Sequence, residues 1–225
     1  MKLTQEDYNR IYREICEDRQ TVEYHIQKNK KKLNYELRRK HSLPVWYCER
    51  ISLPKSGNEY LIYYYAASKA EVDADQCFAG APLMMEDGTA MLLRKMTIRI
   101  QDCKCDCTGL KIYSRHFFDR YKQRMNLPEH MPMDEVVATY FGRNGGYAVN
   151  LSYKDMVLEK NRWKGNSAWA VEDGVALSEI MPISDDVMVF QHNTFLSRKD
   201  LKENQKDATP LPTEMRNLCL KHFNL

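Results

Sequence analysis

The stretch that decides the reading is Leu110-Lys111-Ile112-Tyr113-Ser114-Arg115-His116-Phe117-Phe118-Asp119-Arg120-Tyr121-Lys122-Gln123-Arg124-Met125. Its first four residues read as a short strand. Ser114 is suited to cap a helix, because a serine hydroxyl accepts a hydrogen bond from an amide of the first turn, and helical periodicity then continues to Asn126 and Pro128. At 100° per residue, His116, Arg120 and Arg124 fall within about 80° of one another, with Phe118, Tyr121 and Met125 on the opposite side. One face is built to pack and the other is cationic.

Downstream, a second helix is expected from Asp134 through Tyr140, ending at Gly142 or in Gly145-Gly146. Tyr147 to Leu151, Ser167 to Val171, Val175 to Ile180 and Val187 to Thr194 then read as four short strands. Glu172-Asp173-Gly174 is a turn signal between the middle two, so an antiparallel meander is predicted. Helices near residues 199–206 and 213–222 close the chain. Upstream, residues 5–17 and 21–39 read as two amphipathic helices, the second stopped by Pro44. Val45 to Cys48 and Glu59 to Tyr65 form a hairpin pattern across Lys55-Ser56-Gly57-Asn58, and 82–85 with 89–100 form another across Glu86-Asp87-Gly88. The tyrosines of the first hairpin alternate faces, so some are expected at the surface, for base stacking or for packing under the N-terminal helices. The expected fold class is α+β. An N-terminal region of helices and β-hairpins, residues 1–108, precedes a helix–helix plus four-stranded antiparallel module, residues 109–225, with the boundary in the Cys-rich stretch 102–109.

The 225 residues carry 34 Lys+Arg against 31 Asp+Glu, a net charge of +3. That balance excludes a uniformly basic nucleic-acid-coating chain and an acidic disordered tail. The charge is segregated: basic residues gather at 28–40 and 94–124, and much of the acid lies from Glu129 onward. A content of 43% hydrophobic and 11% aromatic residues is enough for a sizeable core. No apolar run approaches the roughly 20 residues that span a bilayer, and the N-terminus turns acidic at once, so a cytoplasmic protein without a secretory signal is expected. Seven cysteines, an odd number, argue against a disulfide framework. In Cys103-Lys104-Cys105-Asp106-Cys107 the three cysteines would share one face of a strand as reduced thiols. Alternatively they hold a metal, with Cys77 or His116 as the fourth ligand, although no second pair at zinc spacing accompanies them.

A short strand leading into His-x-x-x-Arg-x-x-x-Arg, then a second helix and an antiparallel sheet, resembles the small RNase-toxin superfamily that groups RelE-type toxins with barnase-like and colicin-type nucleases. The resemblance covers residues 110–197. Phe117 stands where related sequences carry a small residue after the histidine, and the first 109 residues have no counterpart. It implies a toxin-type, metal-independent endoribonuclease, a hydrolase acting on RNA without a cofactor, with an inhibitory protein as a further partner.

RNA cleavage without a metal needs a group to take the 2′-hydroxyl proton, another to protonate the leaving oxygen, and cations for the developing charge. His116 supplies proton chemistry, and Arg120 and Arg124 supply phosphate contacts. His192 and Thr194 on the last strand are candidates to complete the set, while Ser197 is a candidate cap for the following helix. Lys30, Lys31, Lys32, Arg38 and Arg39 form a basic helix surface suited to nucleic acid, or simply a solvated face. The non-enzymatic alternative uses the same cationic faces to bind nucleic acid or an acidic protein, and a third reading is a regulatory subunit with the Tyr-rich hairpin as its interface. Gly142-x-x-Gly145-Gly146 does not follow a strand, and neither a Gly-x-Ser-x-Gly elbow nor a His-Glu-x-x-His motif occurs.

Overall fold

The structure, a computed structural model, describes residues 3–39, 45–66, 68–70, 78–100, 103–144, 149–150, 157–159, 162–184 and 187–203. Side chains at 31–34, 36–39, 45–46, 78, 96–100, 103–106, 149–150, 157–159 and 162–164 are outside that description. The elements are α1 (Gln5–Arg39), β1 (Val45–Ser52), β2 (Glu59–Ala66), β3 (Phe78–Gly80), β4 (Leu83–Met84), β5 (Ala90–Ile100) and β6 (Cys103–Tyr113). After these come α2 (Arg115–Arg124), α3 (Met133–Asn144), β7 (Val149–Asn150), β8 (Val157–Glu159), β9 (Arg162–Val171), β10 (Gly174–Pro182), β11 (Val187–Ser197) and a 3₁₀ turn (Arg198–Asp200).

The fold is α+β: three helices on a mixed open sheet whose nine-strand path runs β1-β2-β4-β5-β6-β11-β10-β9-β7, with β3 added to β2 and β8 to β9. The expected four-stranded antiparallel module is therefore replaced by something larger. β11 pairs antiparallel with β10 but parallel with β6, from Val187↔Thr108 to His192↔Tyr113. A strand that is paired on both edges and covered on both faces needs an apolar sequence, and Met188, Val189 and Phe190 are buried accordingly. The 108/109 division read from the sequence falls inside β6, an 11-residue strand that pairs with β5 along its whole length.

Two cores sit on the two faces of the sheet. Leu61, Tyr63, Tyr113, Ile180, Phe190 and Phe195 pack against Phe117, Phe118, Tyr121, Val137, Tyr140 and Phe141 of α2 and α3. Tyr60, Leu83, Met91, Leu110, Ile112 and Val189 pack against Tyr8, Ile11 and Val22 of α1. Residues 5–39 form one 35-residue helix where two were expected. No Gly or Pro interrupts 16–21, and the polar Asp18 in this stretch is buried. It accepts hydrogen bonds from Ser56 Oγ (2.9 Å), Asn58 Nδ2 (2.7 Å) and Tyr60 Oη (3.0 Å), which tie the helix to the β1–β2 turn.

The β2 tyrosines are covered from both sides. Tyr60 and Tyr64 lie under α1, where the Tyr64 hydroxyl donates to the Ile26 carbonyl, while Tyr63 stacks on Phe141 with ring centroids 5.7 Å apart. Gly142 does not end its helix, because α3 continues to Asn144. A β-carbon there would strike the Tyr65 ring, so glycine at this position allows helix and strand to approach. The Glu86-Asp87-Gly88 turn closes as predicted from its sequence, with Gly88 at φ 83° and the Gly88 amide donating to the Met85 carbonyl at 2.9 Å. Where the first C-terminal helix was expected, a 3₁₀ turn spans Arg198–Asp200 and Glu203 is again helical, and residues 204–225, where the rest of it and the second helix were expected, lie outside the described residues. No helix is long and apolar enough to cross a membrane among the described residues.

Candidate phosphate-binding face

Ser114 caps α2 as its sequence implies: its hydroxyl accepts from the Phe117 amide at 3.2 Å, and its own amide donates to the His192 carbonyl at 3.4 Å. The helix start is thus fixed to β11. Asn126 at φ 52° ends it in the left-handed region that asparagine tolerates, and Lys122 Nζ holds the following turn through the Glu129 and Met131 carbonyls at 2.6 and 2.8 Å.

Phe117, Phe118 and Tyr121 are fully buried, so the opposite face looks outward. His116 and Arg120 are exposed neighbours, with Arg120 Nε 3.5 Å from His116 Nε2 and Nη1 donating to Gln123 Oε1 at 3.0 Å. Arg124, one turn further, is drawn toward the sheet. Its Nη1 donates to the Phe195 carbonyl, and its Nε lies 3.4 Å from Asp200 Oδ2. Between the end of α2 and the end of β11 lies an open cleft of about 400 Å³ bordered by Arg120, Gln123, Arg124, Asn126, Ser197, Lys199 and Asp200. Three cations meet one carboxylate there. Asp200 accepts from the Ser197 hydroxyl (2.9 Å) and amide (3.0 Å), and these bonds, with Arg124 nearby, hold its pKa below the usual carboxylate range.

His192 and Thr194 do not join this face. His192 is buried beneath the start of α2, stacked on Tyr113, with Nδ1 2.6 Å from Ser178 Oγ and Nε2 without a hydrogen-bond partner among the described residues. Burial, then the Lys111 ammonium, hold its ring well below the ordinary histidine pKa. A register shift between Leu177 and Ser178 leaves Asn193 as an extra residue, so Thr194 opposes Leu177 while Phe195 turns to the α2 side. Thr194 accordingly faces away from α2. Sequence alternation could not show that His192 would be covered by α2.

Lys30 is half-buried on α1; the side chains of Lys31, Lys32, Arg38 and Arg39 lie outside the described residues. The same holds for Cys103 and Cys105 on β6, while Cys107 on that strand is buried. Among the described residues no cluster of three or more His, Cys, Asp or Glu is placed to hold a metal ion. Lys199 and Asp200 were missed in the sequence as site residues, although Ser197-x-x-Asp200 is a capping-box pattern that fixes Asp200 at the cleft.

A second polar cluster supports the platform from the buried face of α2. Asp173 is buried and accepts from Tyr121 Oη (2.7 Å), Asn144 Nδ2 (2.9 Å) and Arg143 Nε (2.8 Å), while its amide donates to Asn144 Oδ1 at 2.9 Å. One carboxylate therefore joins α2, α3 and the β9–β10 turn. No family model, curated protein or solved structure matches the chain.

Proposed function

We propose that the outward face of α2 and the adjoining cleft bind the phosphodiester backbone of RNA. The observation that carries this reading is the convergence of Arg120, Arg124 and Lys199 from two separate elements on one open cleft, where the single carboxylate is already engaged by Ser197 and Arg124. Guanidinium forks match phosphate oxygens, and Gln123 and Asn126 add neutral hydrogen-bonding groups to the same rim. Sequence-independent contacts of this kind position a strand and give salt-dependent affinity.

Cleavage of the bound RNA is the second reading, and it is favoured by His116 alone. The exposed imidazole sits beside Arg120 and so places a proton-transfer group next to a phosphate ligand. With His192 buried, a cleaving enzyme would take its second proton donor from the substrate-bound water or from another part of the chain. The test is incubation of end-labelled single-stranded RNA with the purified protein in excess chelator, scored for both retention and cleavage. The binding reading expects retention weakened by Arg120→Ala and Lys199→Ala. The cleavage reading expects products that disappear in His116→Ala while retention persists. Equal retention by wild type and both cation variants would refute the assignment.

A further inference from the structure

The sheet splits between β2 and β5. β4 bridges them over only two residues, Leu83 and Met84, paired to β2 on one side and β5 on the other. The bridge ends at Pro82, which has no N–H to give a ladder. Its carbonyl still accepts from the Leu61 amide at 3.0 Å. From there β3 stays with β2 along Tyr63–Tyr65, while β5 continues beside β6 alone among the described residues. The result is a wedge between β3 and β5, roofed by α1.

A cavity of about 450 Å³ occupies the wedge. Its walls are apolar where α1 contributes Ile15, Val22 and Ile26, the β3–β4 connection Ala81 and Pro82, and β5 Leu93. Its charged border carries Arg19, Glu23 and Lys95, with Glu23 paired to Arg19 at 2.8 Å and Lys95 exposed, while Arg94, also on the border, is engaged with Tyr63 and lies near Lys111.

We propose that this cavity is a binding site for a small amphipathic anion, an aromatic or alkyl body carrying one carboxylate or sulfonate. The volume lies within the roughly 300–1,000 Å³ of small-molecule sites, and mostly apolar walls with a few charged groups are their usual composition. An apolar body would displace water from Ile15, Val22 and Leu93, and the exposed Lys95, beside the mutually paired Arg19 and Glu23, selects an anionic head over a neutral or cationic one. The cavity lies under α1, apart from the cleft at the end of α2, and does not depend on the RNA reading.

Cys16 gives a local readout, since it lines the same cavity and is exposed. Alkylation of the full chain by N-ethylmaleimide is followed peptide by peptide by mass spectrometry, with 1-naphthoate or with 1-naphthylmethylamine, a cation of similar shape. Saturating naphthoate is expected to slow Cys16 alkylation by about five-fold or more, the amine to leave it unchanged, and the exposed-residue variant Lys95→Glu to lose the protection. Unchanged Cys16 alkylation with naphthoate, equal protection by the amine, or full protection in Lys95→Glu would overturn the proposal.

Discussion

His192 lies flat against Tyr113, with ring centroids 4.2 Å apart and planes inclined by 15°. Ser178 and Phe117 complete its surroundings, and the lowered pKa follows from burial first and from Lys111 second. The folded state therefore binds the proton less well than the unfolded chain, whose histidine titrates near 6.5. Stability contributed by this group is fully present above that value and is lost as pH falls below it, with a slope approaching ~1.4 kcal/mol per pH unit. Urea unfolding between pH 7 and 5 should show that loss, and His192→Phe should remove most of the slope.

Asp173 predicts a different kind of loss. Replacing it with Ala leaves Arg143, Tyr121 and Asn144 without their shared acceptor, and breaking a largely buried ion pair in this way costs about 3 kcal/mol. Chemical denaturation of Asp173→Ala against wild type at pH 7 measures it.

At Gly142 the constraint is steric. Alanine is the better helix former, yet its β-carbon meets the Tyr65 ring, so Gly142→Ala should destabilise by about 1–3 kcal/mol where an open helix position would gain. The double variant with Tyr65→Ala should recover the propensity gain, and thermal melts of the four proteins distinguish the two effects.

Lys111 is held on the sheet face beside Trp169, 5.8 Å from the ring, where burial and the Arg94 guanidinium push its pKa down to about 8. Between pH 8 and the ordinary lysine range near 10.5 the unfolded chain binds the extra proton, so stability should rise with pH across that window. Lys111→Met should flatten the rise and increase stability at pH 7 by about 1 kcal/mol.

How much of this was readable in advance differs from element to element. α2 was legible because Ser114, the apolar positions and Asn126 are local signals, and the outward placement of His116 and Arg120 follows from the same periodicity. The β6–β11 pairing was not, because alternation within a strand does not name its neighbour. His192, a candidate for the site from its place on the last strand, is instead buried under α2, which no pattern within that strand specifies. Nor could the sequence bring Lys199 and Asp200 to Arg124, since that approach is made by the end of β11 and not by spacing along the chain. The tyrosines of β2 were ambiguous for a related reason: the pattern shows two faces, and only the tertiary structure covers both.

The measurement that bears most directly on the proposed phosphate-binding face is the salt dependence of single-stranded RNA binding, by fluorescence anisotropy, for wild type and the Arg120→Ala/Lys199→Ala double variant. Two lost phosphate contacts should weaken binding and make the slope of log K against log salt shallower by about 1.4. The same affinity and the same slope in both proteins would contradict the account.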